Sequence, residues 1–192
     1  ELLGTDYIDL MFIHQPAGDF MAGYRKLEKA YKEGKIKSIG ISNFQGEKLK
    51  KLLDECEIKP HVIQMEAHPY YRDEETIAAL APCGCCVMAW YPLGHGDHAL
   101  LEEPVVKELA EKYGKSTAQV ILRWHTQVGN IVIPGSTNPE HIKVNLDIFD
   151  FELTEEEMKQ MAGLNKNVRY YYPDEEKLAA YANMKIDLDS QK

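Results

Sequence analysis

Basic residues are outnumbered in this chain: 22 Lys and Arg stand against 31 Asp and Glu in 192 residues, a formal charge of −9. A nucleic-acid or anionic-membrane surface needs clustered cations, so neither partner is expected. No apolar run approaches the ~20 residues of a membrane-spanning helix, and no signal peptide is visible. Cysteine is sparse: Cys56, Cys83, Cys85 and Cys86 are all there is. A secreted disulfide framework spreads more cysteines more widely. A zinc site wants a second pair, or histidines at fixed spacing. Reduced, buried thiols and a cytoplasmic location are therefore expected. His95-Gly-Asp-His98 lacks helix or strand spacing and a fourth ligand, so metal binding is not expected there. No G-x-G-x-x-G follows any strand, which counts against a Rossmann dinucleotide site. Gly114-Lys-Ser-Thr117 resembles the tail of a P-loop, but position 109 is Leu where the motif needs Gly. Ser116 or Thr117 is better read as a helix N-cap. Met is missing from the start; Glu1-Leu-Leu-Gly4 reads as the last turn of a helix with its Gly stop.

The remaining composition, 44% hydrophobic and 28% charged, is that of a globular domain with one sizeable core. Five short apolar runs read as strands: 8–14, 36–42, 61–68, 85–91 and 131–136. Each is rich in β-branched or aromatic residues and is followed by Pro, Asn or Gly. Helical patterns lie between them. Residues 20–32 carry apolar side chains at helical spacing and stop before Gly34. Residues 46–56 and 73–81 are shorter helices, and 103–128 holds two, broken near Gly114. Asn138-Pro139 reads as an N-cap followed by Pro at the first helical position, and Thr154-Glu-Glu-Glu157 as a capping box. Strands alternating with helices predict an α/β fold with a parallel sheet. A five-stranded open sheet fits the length. So does a (β/α)₈ barrel lacking three units, since a barrel uses about 31 residues per unit.

Polar and aromatic residues gather at the ends of these strands. His14, before Gln15-Pro16, ends the first strand, and Ser42-Asn43 ends the second. Gln64 sits in the third. Trp90-Tyr-Pro-Leu93-Gly94 ends the fourth, and Ser136-Thr137-Asn138 the fifth. Chemistry in α/β folds sits at the carboxyl ends of the strands. Amides, hydroxyls and an aromatic plane suit a flat, amide- and phosphate-bearing ligand better than a metal. Turn chemistry alone accounts for any one of these residues, but less readily for four in register.

Several of these stretches resemble the aldo-keto reductases: 3–16 (Leu-Gly-Thr-Asp-Tyr-Ile-Asp-Leu-Met-Phe-Ile-His-Gln-Pro), 34–44 (Gly-Lys-Ile-Lys-Ser-Ile-Gly-Ile-Ser-Asn-Phe), 89–94 (Ala-Trp-Tyr-Pro-Leu-Gly), 118–124 (Ala-Gln-Val-Ile-Leu-Arg-Trp), 133–142 (Ile-Pro-Gly-Ser-Thr-Asn-Pro-Glu-His-Ile) and 150–154 (Asp-Phe-Glu-Leu-Thr). The resemblance implies an incomplete (β/α)₈ TIM barrel. Residues 1–165 would be its last five strand-helix units, and 166–192 a C-terminal tail or substrate loop. It implies NAD(P)H-dependent reduction of a small carbonyl substrate, an aldehyde or ketone, to an alcohol without a metal. His14 would orient the substrate carbonyl. Ser42, Asn43 and Gln64 would hold the nicotinamide carboxamide, and Trp90 would stack on the ring. Leu93 would lie along the cofactor, and Ser136, Thr137 and Asn145 would contact its phosphate and adenine end. Many family members have Lys where this chain has Gly135, Arg where it has His141, and Glu where it has Val144. Those two cations hold the 2′-phosphate of NADP, so either NADP or NAD is open here. An imidazole at His141 offers a cation only when protonated. The family's Tyr proton donor, with its Lys and Asp, belongs to strands that would precede residue 1. The chain alone is therefore expected to be inactive, with open sheet edges prone to self-association. A non-catalytic remnant binding a nucleotide or a partner chain is the alternative.

Overall fold

The computed structural model describes residues 4–172 and 174–184. The helix end expected at Leu2-Leu3 and the last residues of the tail, 185–192, lie outside the described residues. Along the chain the elements are β1 (Met11–Ile13), α1 (Phe20–Lys32), β2 (Ile39–Ser42), α2 (Gly46–Glu55), β3 (Val62–Glu66), α3 (Glu74–Leu80), β4 (Cys86–Trp90), α4 (His98–Leu101), α5 (Pro104–Tyr113), α6 (Thr117–Gln127), β5 (Ile131–Val132), α7 (Pro139–Leu146), α8 (Glu155–Ala162) and α9 (Glu175–Asn183). They fall into two compact units, Glu1–Val62 with Tyr172–Lys192, and Ile63–Tyr171.

In the first unit β1 and β2 run parallel, with Met11 opposite Ile39 and Phe12 opposite Gly40. Glycine suits that register, because a Cβ at Gly40 would run into the Phe12 ring. Every residue of β2 is buried, the pattern of a strand covered on both faces. The Asp19 carboxylate accepts the Ala22 N–H at 2.9 Å and starts α1, as an N-cap should. Beyond its end Gly34 takes the left-handed conformation, φ +72°, the usual helix stop. Tyr24, Ile39, Ile41, Phe44, Leu49 and Leu52 form the buried core. Each aliphatic side chain so removed from water stabilises by about 1.5–3 kcal/mol before entropy is counted. Glu28 is buried beside them. It accepts the Glu57 and Ile58 N–H groups at 2.6 and 2.9 Å and an Arg25 N–H at 3.0 Å. Burial pushes its carboxyl up, but those hydrogen bonds outweigh burial and hold it below the usual range. A charge buried away from water needs such partners.

The second unit carries β4 and β5 in parallel, with Met88 opposite Ile131 and Ala89 opposite Val132. Its core joins Tyr70, Leu100, Val106, Leu109, Val120, Ile121, Trp124, Leu153 and Met161. The helix signals read from the sequence act as expected. Gly114 is left-handed at the end of α5. Ser116 and Gln119 form a reciprocal capping box on α6. Asn138 caps α7 with Pro139 behind it, and Thr154 with Glu157 boxes α8. Cys56 of the first unit is buried, and Cys83, Cys85 and Cys86 are half-buried free thiols. Burial, with the neighbouring sulfurs, pushes the Cys85 thiol up to about 12.

The strands are shorter than the apolar runs that announce them. The run at 8–14 narrows to Met11–Ile13, with a single bridge from Ile8 to Ile36. The run at 131–136 narrows to two residues, since Pro134 has no N–H to give a ladder. Two helices have no counterpart in the sequence reading, the four-residue α4 and the tail helix α9.

Candidate functional site

Three of the expected site residues lie in the first unit, at the carboxyl ends of β1 and β2. His14 follows β1 and is exposed, while Ser42 ends β2 and is buried. Asn43 comes next with φ +58°, a conformation that Asn tolerates better than most residues. The turn aims its amide at Gln15, whose Oε1 accepts from Asn43 Nδ2 at 3.5 Å. The left-handed turn thus sets an amide beside the strand ends.

Gln64 of the second unit lies in β3, its amide nitrogen 3.6 Å from Met88 Sδ on β4. At the end of β4 the chain makes an aromatic corner. Trp90 packs on Tyr91 with ring centroids 4.2 Å apart, and Tyr91 stacks on His95 at 3.9 Å. Tyr91 and His95 both adopt φ +54°, costly for such side chains unless the surroundings over-determine them. Part of what fixes them is behind the loop. The fully buried His125 meets the Pro92 carbonyl through Nε2 at 3.2 Å and the Asn130 amide through Nδ1 at 3.1 Å. Burial depresses His125 to about 3, so it is neutral, donating from Nε2 and accepting at Nδ1. The corner encloses a cavity of about 410 Å³ lined by Trp90–Leu93, His95, Gly96 and Ile133–Gly135. Trp90 and Leu93 are thus brought together with Gly135 around one space, apolar with a few polar groups, as small-molecule sites are.

The remaining expected residues follow that cavity along the chain. The Ser136 hydroxyl accepts the Asn138 N–H at 3.1 Å, at the start of α7. Thr137 and His141 are exposed and Asn145 is half-buried. The N-terminus of α7 offers partial positive charge, with His141 and Lys143 on the same exposed helix. A Cβ at Gly135 would meet nothing within 4 Å, so the glycine leaves open space there.

A further group escaped the sequence reading. Glu66, buried at the end of β3, accepts His68 Nε2 at 3.1 Å, the Tyr170 N–H at 2.6 Å and the Tyr171 N–H at 2.9 Å. Burial raises its carboxyl; the hydrogen bonds from His68, Tyr170 and Tyr171 outweigh that and hold it below the usual range. The Tyr170 hydroxyl donates to Asp97 at 2.5 Å, and Asp97 also caps α4 through the Ala99 N–H. Asp97 therefore serves the fold within the stretch His95–His98. The one available signal was a Glu and a His interrupting an apolar strand, which calls for a buried partner.

The aldo/keto reductase family model matches residues 1–166. The uncharacterized oxidoreductase YtbE of Bacillus subtilis is 46% identical over 168 residues, 87% of this chain and 59% of that protein. Among solved structures, an aldo/keto reductase from Brucella melitensis superposes with TM-score 0.78 at 43% identity, covering 85% of this chain and 63% of the other. The Bombyx mori aldo-keto reductase in complex with NADP gives TM-score 0.78 at 35% identity, covering 87% and 60%. The chain spans about three fifths of the length of these relatives. Its α/β architecture is that of an incomplete barrel.

Proposed function

This chain belongs to the aldo/keto reductase family, an oxidoreductase family, and from that membership we propose that it serves NAD(P)H-dependent reduction of an aldehyde or ketone. The observation that carries the reading is the cavity at the end of β4, where Trp90, Leu93 and Gly135 meet. These residues fit a nicotinamide cofactor: the aromatic corner offers a ring face, and the glycine leaves room for the backbone to approach a ligand. When bound, the cofactor supplies a hydride.

The chain's own residues bind and orient. Trp90 would cover one face of the nicotinamide ring and leave the other open to the substrate. Ser42, Asn43 and Gln64 are assigned to the carboxamide, whose donors and acceptors match theirs. His14, exposed at the end of β1, is assigned to the substrate carbonyl. Leu93 would lie along the cofactor, while Ser136, Thr137, His141 and Asn145 would take its phosphate and adenine end. The proton donor of the family, a Tyr with its Lys and Asp, is assigned to none of the eleven tyrosines here. Residues 1–165 carry the barrel units in this reading, and 166–192 a C-terminal tail or substrate loop. The compartment in this reading is the cytoplasm. Among the described residues no helix is long and apolar enough to cross a membrane.

Titrating the 192-residue chain with NADPH and NADH, following the heat of binding by calorimetry, tests the site. Saturable binding that Trp90→Ala weakens about tenfold or more supports it; base-aromatic stacking of this kind is worth roughly 1–3 kcal/mol. No binding of either nucleotide sinks it. Gly135 has no side chain and His141 is a weak substitute for Arg, so the NADPH preference should be smaller than in relatives bearing both cations. With an activated aromatic aldehyde the chain alone should turn over slower than a complete enzyme by about 10²–10⁴ or more, the usual worth of a proton donor. Full-rate turnover would place the proton donor within these 192 residues.

A further inference from the structure

Glu66 stands two residues after Gln64 on β3, and in a strand that spacing puts both on one face. Its carboxylate is buried, and its two oxygens take two consecutive main-chain amides, Tyr170 N–H on Oε1 and Tyr171 N–H on Oε2. One carboxylate gripping two successive amides fixes the rotation of the peptide between them as well as its place. His68, itself buried, steadies the carboxylate from the side. The segment is also tied at its start: the Lys166 and Val168 N–H groups donate to the Tyr70 carbonyl at 3.0 and 3.2 Å. The result at the far end is specific. The Tyr171 ring meets Trp90 edge-on, with centroids 5.2 Å apart and planes at 72°, a favoured aromatic geometry.

We propose that Glu66 is a positioning residue: by pinning the Tyr170-Tyr171 peptide it sets the Tyr171 ring against Trp90 and so fixes the aromatic wall of the cavity. The consequence for a ligand rests on the nicotinamide reading; the pinning does not. Glu66 touches neither cofactor nor substrate in this account. It acts through Tyr171 on the orientation of the indole.

The pinning is read without any ligand, by hydrogen exchange on the full chain. In Glu66→Ala the Tyr170 and Tyr171 amides should exchange about 10- to 100-fold faster, the worth of a hydrogen bond to a charged group, while α5 and α6 amides keep their rates. Glu66→Gln keeps one acceptor oxygen and should fall between. Unchanged amides at 170 and 171, or equal acceleration in α5 and α6 with both variants, overturns the proposal. The consequence for the wall is read by tryptophan emission. The part due to Trp90, obtained by difference from Trp90→Phe, should change in the same direction in Glu66→Gln and in Tyr171→Ala. No change in Glu66→Gln overturns the proposal even if Tyr171→Ala responds. For the cofactor, nucleotide dissociation constants should rise in Glu66→Ala and in Tyr171→Ala, and the double variant should be no weaker than the worse single one. Full additivity would show that Glu66 acts by another route. If the parent chain binds no nucleotide, the cofactor reading fails, while exchange and emission still decide the role of Glu66.

Discussion

Single residues in this chain earn attention chiefly where a charge or an imidazole is buried and every atom of it is used. Glu28, Glu66 and Glu157 each collect main-chain amides or neighbouring donors that hold the carboxyl below its ordinary range although burial pushes it up. Glu157 is the extreme. Lys112, Tyr113 and the Thr154 N–H donate to it, and they outweigh burial to bring it to about 2 from 4.5. His125 moves in the same sense for the opposite reason: burial denies it a proton, and it falls from 6.5 to about 3. The unfolded chain binds a proton at His125 between those two values that the folded chain refuses. Its stabilising contribution is therefore whole above 6.5 and is lost as pH falls toward 3. Glu157 contributes fully above 4.5 and loses its contribution as pH falls through 2. Urea midpoints should accordingly drop steadily as pH is lowered from about 7 to about 4. In His125→Gln the fall above about pH 4.5 should flatten, and Glu157→Gln should cost about 2 kcal/mol at neutral pH, where a charge-assisted network is broken. An unchanged slope in His125→Gln would show that another group carries the acid sensitivity. Of these residues, the sequence announces only Glu157, as the last member of a capping box. Glu28 looks like one more charge on a helix face, because its partners, the Glu57 and Ile58 amides, are distant in the chain and invisible to periodicity.

At the scale of elements, local chemistry was legible wherever it is decided within a few residues. Phe20–Lys32 emerges as α1 with the bounds its periodicity predicts, and the caps at Ser116, Asn138 and Thr154 all form. Strand lengths were less legible, since an apolar run marks what can be buried and pairing decides what is a strand. The run from Ile131 shows this: Pro134 cannot donate, and pairing stops at Val132. The tail helix α9 went unread because it buries a single residue, Leu178, so no apolar stripe advertises it, although Asp174 caps it through the Lys177 N–H at 2.7 Å. Within the candidate site, Trp90 and Leu93 were readable from a motif; the stacking of Tyr91 on His95 was not, because it depends on two left-handed residues. Ser116 offers a test of the local part. Its hydroxyl accepts the Gln119 N–H while the Gln119 side chain returns to the Ser116 N–H. Ser116→Ala should lower stability by about 1 kcal/mol, the usual worth of an N-cap, read as a fall in urea midpoint at constant slope. Ser116→Gly should cost only a few tenths. A loss above about 3 kcal/mol in the Ala variant would mean that the box holds more than its own helix end.

The scale of the whole molecule turns on how much of a barrel five strand-helix units can close. YtbE is matched over 59% of its length, close to the five units of eight that the family resemblance implies. An incomplete barrel leaves apolar surface without cover, and the second unit displays it. Strand β5 pairs with β4 and stands at the end of its sheet, with Ile131 and Ile133 exposed. Helix α7 buries none of its residues. Leu146 and Phe149 are 72% and 69% exposed, and Ile142 and Val144 add to the same segment. Scattered apolar residues on a surface need no explanation, but an edge strand recruits other chains, and several exposed apolar residues follow this one closely in the chain. The 192-residue chain should therefore associate with itself. Sedimentation velocity should show a weight-average mass that rises with concentration, whereas a chain of 21.9 kDa that stays monomeric would not change. The net charge of −9 opposes association, so raising salt should strengthen it by screening that repulsion. Leu146→Lys with Phe149→Lys places two cations on the apolar segment without touching the core, and should restore the monomer if that segment is the contact. If the variant still associates, and a strand-edge change such as Ile133→Lys is what abolishes it, the sheet edge rather than the helix face is the route. A mass that is constant over the whole accessible concentration range, with β5 amides protected from exchange, would show the edge to be already covered and the expectation of open edges to be wrong.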